Sequence, residues 1–306
     1  MKTKILLLAM LISMCSGGSD VAEDKNIVSL STTHTEIIQM LEGENLLVGV
    51  DSFSETELPI EKIDAYTVTA EELLILDPDI VLVAFDFNGI VEGLENLDIE
   101  YALLPPAQTL DDVYSQIETV GSIINKSDQA NSLVSEMKSD IDDIIANSIG
   151  TPLSVYHEIG YTYGIYSVNE NSFIGEIYNL LGVDNIANTI EDPYGSGYPV
   201  LEEEQVLASD PDLIVIGHSD YLNKDLSIRE GWGNISAVEN SNVYFLDDTL
   251  ASNWGTTTVQ LVEELSTTFE ESAQTNVYSD QLLLISLLFL VIMIYVLTRR
   301  NTKQKV

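Results

Sequence analysis

A chain of 306 residues has room for two domains of ordinary size, and a hydrophobic fraction of 45% is enough to give each a core. Fifty acids stand against 12 basic residues, a formal net charge of −38, and six of the basic residues (Lys2, Lys4, Arg299, Arg300, Lys303 and Lys305) lie outside the stretch from Asp20 to Asp280 that carries every acid. Such a body repels nucleic acid, whose binding needs cations to displace counterions, and it repels anionic lipid and anionic solutes. An acidic surface of this kind suits a salty medium, where screening relieves self-repulsion, so charge alone marks no single acid as functional. The one cysteine, Cys15, excludes an intramolecular disulfide.

From the start, basic Met1–Lys4 and apolar Ile5–Met14 have the pattern of a secretory signal, assigned to residues 1–19. Ile12-Ser13-Met14-Cys15 resembles a lipoprotein cleavage box with Cys15 as the lipidated residue, departing from it at Met14. A Gly/Ser-rich and acidic linker follows. A first lobe is expected over 26–124. It opens with a strand at Asn26–Leu30 and a helix from the hydroxyl-rich Ser31-Thr32-Thr33-His34-Thr35, where hydroxyls are expected to cap free N–H groups, through Leu41. A strand at Leu46–Val50 and the loop Asp51-Ser52-Phe53-Ser54 come next.

Two stretches then say almost the same thing. Glu71-Glu72-Leu73-Leu74-Ile75-Leu76-Asp77-Pro78-Asp79-Ile80-Val81-Leu82-Val83 aligns without a gap on Glu204-Gln205-Val206-Leu207-Ala208-Ser209-Asp210-Pro211-Asp212-Leu213-Ile214-Val215-Ile216. Each copy reads as a short helix with acids in its first turn, a stop at the proline, and a strand with no polar alternation. Such strands belong to a parallel sheet covered on both faces, so the repeat predicts two similar α/β lobes. Between the copies, helical spacing of Leu133, Val134, Met137, Ile141, Ile144 and Ile145 predicts one long helix, about 30 Å, as a stiff linker over 125–150. The second lobe is expected over 151–270 and a polar tether over 271–281. The apolar run at 282–298 is expected to cross a membrane, with the basic tail 299–306 in the cytoplasm and the acidic body outside.

No GxSxG, HExxH, P-loop or GxGxxG motif occurs, and no covalent chemistry is predicted. The three histidines are His34, His157 and His218. An alternative reading places a transition metal on His34, His218 and Glu158; ordinary hydrogen bonding would account for the same residues. Aromatics gather in loops after the strands: Phe53, Tyr66, Phe85, Phe87, Tyr161, Tyr163, Tyr194, Tyr198 and Trp254. As a set they could line a flat apolar cleft between the lobes.

Ile27-Val28-Ser29-Leu30-Ser31, His34-Thr35-Glu36-Ile37, Leu47-Val48-Gly49-Val50, the two Asp-Pro-Asp strands, Ser172-Phe173-Ile174, Gly231-Trp232 and Val243-Tyr244 resemble, in that order, the Fe/B12-type periplasmic-binding family. These are the solute receptors of ABC importers for cobalamin, ferric siderophores and haem. The resemblance implies two Rossmann-like α/β lobes joined by a single long helix, a monomer without a cofactor, and partners in an ABC permease and its ATPase. It also implies one exposed glutamate per lobe docking on permease arginines, here Glu71 and Glu204. The ligand-contacting residues it suggests are Phe53, Tyr66, Phe85, Tyr161, Tyr163, Tyr198 and Trp254. Tyrosine stands where the cobalamin receptor has tryptophan. The basic residues of the body, Lys25, Lys62, Lys126, Lys138, Lys224 and Arg229, lie mostly outside the cleft loops, which disfavours catecholate siderophores and leaves a corrinoid, a hydroxamate chelate or haem. A cofactor enzyme on the same scaffold would need clustered cysteines, which the body lacks.

Overall fold

The computed structural model describes residues 25–148, 153–219, 224–274 and 287–288. The first lobe contains β1 (Ile27–Ser29), α1 (Thr32–Met40), β2 (Leu47–Asp51), β3 (Glu61–Ile63), α2 (Ala70–Leu74), β4 (Ile80–Val83), α3 (Ile90–Asn96), β5 (Tyr101–Leu103) and α4 (Leu110–Ile123). Its sheet is parallel throughout, in the order β3-β2-β1-β4-β5. The order reverses beside β1, which is where α/β sheets open a crevice at their carboxyl ends. The long helix α5 (Ser127–Asn147) packs against α4. Gly121 permits that approach, since a Cβ there would lie 2.3 Å from the Ala130 methyl.

The second lobe contains β6 (Ser154–Gly160), β7 (Ile165–Ser167), α6 (Phe173–Leu181), β8 (Asp184–Asn185), β9 (Val200–Leu201), α7 (Glu203–Ser209), β10 (Leu213–Ile216), α8 (Ser236–Glu239), β11 (Val243–Phe245) and α9 (Asp248–Ala251). A further helix, α10, occupies 258–274. Here the expectation of a second parallel sheet is corrected. β6, β8, β10 and β11 run parallel, but β7 and β9 form an antiparallel ribbon on β6.

The repeat has a structural reason. β4 and β10 are buried along their whole length. In both, alternate residues face two cores: Ile80 and Leu82, like Leu213 and Val215, join one cluster shared by the lobes, while Val81 and Val83, like Ile214 and Ile216, join a cluster private to each lobe. The second aspartate of each Asp-Pro-Asp ties its strand to the first strand of the lobe. Asp79 Oδ2 accepts from Asn26 N at 2.7 Å, and Asp212 Oδ2 accepts from Ser154 N at 3.0 Å and Ser154 Oγ at 2.8 Å. The first aspartates, Asp77 and Asp210, take left-handed backbone conformations (φ 50° and 43°), so the chain turns there rather than at the prolines. α2 has already ended at Leu74 and α7 at Ser209.

The runs at 1–19 and 282–298 fall outside the described residues, apart from 287 and 288. Among the described residues no helix is long and apolar enough to cross a membrane.

Removing the strand tie tests the account. Asp79→Ala and Asp212→Ala are each expected to lower unfolding free energy by about 1–2 kcal/mol, whereas Glu118→Ala, at an exposed site on α4, stays within about 0.5 kcal/mol. Urea titration of the three variants measures the difference.

Candidate functional site

A cavity of about 270 Å³ opens at the carboxyl ends of β1, β2 and β4. Thr32, Thr33, Asp51, Phe53, Tyr66, Phe85 and Phe87 of the first lobe line it, with Ser252 and Trp254 of the second. Its aromatics form a row. Tyr66 stacks on Phe87 (centroids 4.9 Å), Phe87 on Phe85 (5.2 Å), and Phe85 meets the edge of Trp254 at 6.3 Å and 89°. Phe53 stands across the mouth, 72% exposed.

The hydroxyl-rich start of α1 does something other than cap it. Ser31 makes no side-chain cap bond. Instead Thr35 Oγ1 lies 2.9 Å from Ser29 Oγ, and Ser54 Oγ reaches both Thr35 Oγ1 (3.0 Å) and the Asp51 carboxylate. Asp51 is buried at the end of β2 and accepts from Phe53 N at 2.9 Å, which fixes the loop that presents the Phe53 ring. Asp51 thus shapes the wall, and the only sign of it in the sequence is an acid closing an apolar strand.

The two lobes meet through residues 252–255. Asn253 Oδ1 accepts from Thr33 Oγ1 (3.2 Å) and Gly255 N (2.9 Å), while its amide donates to Glu36. Trp254 Nε1 donates to Gln116 Oε1 at 3.3 Å.

At the carboxyl edge of the second lobe a buried ion pair replaces the expected open cleft wall. Glu158 accepts from Arg229 Nη1 (2.6 Å) and Nη2 (2.9 Å), Tyr156 OH (3.1 Å) and His218 Nε2 (3.0 Å). The Arg229 guanidinium lies 3.7 Å from the Tyr161 ring centre and 4.4 Å from that of Trp232. Burial alone would raise the Glu158 carboxyl, but His218 and Arg229 outweigh it and hold its pKa below the usual range. Arg229 is therefore not a remote surface charge, although its charge is spent on Glu158. Tyr161 belongs to this cluster, while Tyr163 and Tyr194 are 93% and 94% exposed and Tyr198 is partly exposed. None of these four lines the cavity.

The metal alternative is corrected by the same geometry. His34 is wholly buried in the first lobe and pairs with Gln116 at 3.2 Å, whereas Glu158 and His218 pair with each other in the second. Among the described residues, no three His, Cys, Asp or Glu side chains gather to hold an ion. His157 is buried too, with Nδ1 2.7 Å from Tyr178 OH. The absence of a side chain at Gly217 makes room for it, since a Cβ there would lie 2.4 Å from His157 Nε2.

A second, open groove of about 480 Å³ lies between β3 and α2, lined by Glu61, Lys62, Asp64, Glu72, Ile75 and Leu76 among others. The matched acids Glu71 and Glu204 are both exposed at the second position of their helices, α2 and α7. Ile75, 83% exposed, stands one turn from Glu71.

Burial lowers the pKa of His34 to about 4 and of His157 to about 3, from the ordinary 6.5. Both stay neutral in the folded chain, while the unfolded chain protonates them near pH 6.5. The unfolded state therefore binds more protons, and stability is lost as pH falls below 6.5, by about 1.4 kcal/mol per pH unit for each. Glu36 and Glu176, raised by burial, act in the opposite sense. In urea titrations between pH 6.5 and 5, His34→Gln is expected to show a shallower decline than the parent by about one proton; equal slopes would refute the assignment.

A family model described as periplasmic binding protein matches residues 27–250. An uncharacterized ABC transporter substrate-binding lipoprotein, YvrC of Bacillus subtilis, is 29% identical over 256 residues, covering 80% of this chain and 79% of that protein. A cobalamin-binding protein of Halobacterium salinarum is 26% identical over 244 residues; the match takes in 76% of this chain and 64% of that longer relative. Among solved structures, the fold is similar to the periplasmic vitamin B12-binding protein BtuF of Vibrio cholerae (TM-score 0.65, 22% identity, 80% of this chain and 96% of that one). It is also similar to the periplasmic haem-binding protein RhuT of Roseiflexus (TM-score 0.69, 23% identity, 81% and 99%).

Proposed function

The chain belongs to the periplasmic binding protein family, whose members are solute-binding proteins and not enzymes, and from that premise we propose that it captures a corrinoid for an ABC importer. The observation that carries the choice of solute is the aromatic wall of Tyr66, Phe87, Phe85 and Trp254, with no cationic side chain lining the cavity. Flat rings bind flat rings by offset stacking and apolar burial. A solute fringed with neutral amides asks for no counterion. Two carboxylates, as on haem, would meet Asp51 and a strongly acidic exterior. Arg229, the one arginine among the described residues, is held bidentate by Glu158. A corrin is wider than the cavity, so one edge rests in it while Phe53 covers a face from the rim. The relative from Halobacterium salinarum, itself a cobalamin-binding protein, supports the same choice.

Delivery follows from the exterior. Glu71 on α2 and Glu204 on α7 dock on arginines of a permease that works with its ATPase, in a contact weakened by salt. Residues 282–298 hold the body at the outer face of the membrane. The chain works as a monomer.

Calorimetric titration of the full chain in detergent with cyanocobalamin and with haem is the direct test. One-to-one binding of cyanocobalamin, weakened about tenfold or more by Phe85→Ala, is expected. Binding of haem alone would overturn the choice of solute. In reconstituted vesicles with the cognate permease, Glu71→Ala with Glu204→Ala is expected to abolish uptake while leaving solute affinity unchanged.

A further inference from the structure

Trp254 is the one ring of the cavity wall that the second lobe supplies, and its indole N–H points into the first lobe, to Gln116 Oε1 at 3.3 Å. The same oxygen lies 3.2 Å from His34 Nε2, and the amide nitrogen of Gln116 donates to the Pro105 carbonyl at 2.6 Å. An indole nitrogen can only donate and a carbonyl can only accept. The orientation of the amide is therefore set by its partners, oxygen toward Trp254 and His34 and nitrogen toward Pro105. His34 must then carry its proton on Nε2.

We propose that Gln116 is the positioning residue of the solute wall: by holding the Trp254 indole it sets the place of the second lobe's ring against Phe85. The inference rests on reading the cavity as the solute site. Gln116 is suited to the task because its side chain is held at both ends of its amide. It is buried on α4 between Val113 and Ile117, which are fixed in the core. The indole is less constrained. It is only partly buried, it sits on the short 252–255 connection, and besides packing on the rim of the shared core its one aromatic contact among the described residues is a perpendicular approach to Phe85. Asn253 secures the backbone of that connection separately, through Thr33, Glu36 and Gly255. Loss of the Gln116 oxygen would leave the connection docked through Asn253 and two donors without their acceptor, the buried His34 Nε2–H and the half-buried Trp254 N–H. The ring would then turn toward water to satisfy it. Gln116 thus governs the direction of the Trp254 ring from a place already fixed by His34 and Pro105 within the first lobe.

The chain's two tryptophans make this readable. Trp232 is fully buried, with its own acceptor in Glu203 at 2.7 Å, and serves as a fixed background. Subtracting the emission of Trp254→Phe from that of the full chain isolates Trp254. In Gln116→Met, which keeps length and removes the acceptor, the Trp254 emission is expected to shift to the red and its quenching by acrylamide to rise. Cyanocobalamin affinity is expected to fall roughly tenfold. Gln116→Glu in its protonated form, whose carbonyl oxygen accepts from Trp254 while its hydroxyl donates to Pro105, restores the emission. If Gln116→Met does not fold, Gln116→Asn, one methylene short, is expected to give the same shift. Unchanged emission and quenching in a folded acceptor-removed or shortened variant would overturn the proposal, as would an equal change in Gln116→Met and Gln116→Glu. The emission is read without ligand, so a parent chain that fails to bind cyanocobalamin refutes the solute and leaves the positioning to be decided by the spectra.

Discussion

The two lobes share one core. A continuous apolar cluster runs from Ile27, Val50 and Leu82 of the first sheet through Val113, Ile117 and Val120 of α4 and Val134, Met137 and Ile141 of α5. It ends on Val155 and Val215 of the second sheet and Leu261 and Leu265 of α10. Drawing the lobes apart would break this cluster, at about 1.5–3 kcal/mol for each large apolar side chain newly exposed to water. Everything at the strand ends inherits this constraint. Ser252 and Trp254 lie beside the crevice of the opposite lobe. The polar contacts there, including Glu176 accepting from Leu110 N at 2.6 Å, need only orient what the core already holds.

Much of this scaffold is legible in the residues. Ile80-Val81-Leu82-Val83 and Leu213-Ile214-Val215-Ile216 announce strands covered on both faces, and each proves buried along its length. Periodicity also marks α5, whose Val134, Met137 and Ile141 are buried. What the sequence hides is whatever depends on a distant partner. β7 and β9 are three and two residues long, too short to carry a pattern, and their direction is set by pairing with β6 and with each other. The hydroxyls from Thr32 to Thr35 look like caps because local bonding is all that a sequence displays; Thr32 reaches Asp51 and Thr35 meets Ser54 at another strand end, while Thr33 reaches Asn253 in the other lobe. Glu158 and Arg229 are separated by a whole helix-and-strand succession, so nothing local advertises the pair. Gln116 left a trace, as a polar residue on the otherwise apolar stripe of Val113, Ile117 and Val120.

Charge is arranged in opposition. The exterior is acidic, yet the buried carboxylate Glu158 is saturated by donors from Arg229, His218 and Tyr156. A buried carboxylate without such donors would be costly, and removing Arg229 would leave one. The arginine also spans Tyr161 and Trp232, joining the end of β6 to the segment after Gly231. It serves the architecture of the second lobe, and among the described residues no positive side chain lines the strand-end cavity.

Tyr163 and Tyr194 expose nearly their whole surface, and neither supports a neighbour in the cavity wall. The first lobe's ring-bearing loops have no such independence, since Phe53 hangs from Asp51 and Asp51 from a chain of buried hydroxyls. Over evolutionary time the two edges should therefore change at different speeds. A lineage can replace Tyr163 and Tyr194 by single substitutions without disturbing packing, while a change at Asp51 disturbs several residues together. Descendants of this receptor would diversify first along that free edge, and the aromatic row would persist as the inherited part of the site.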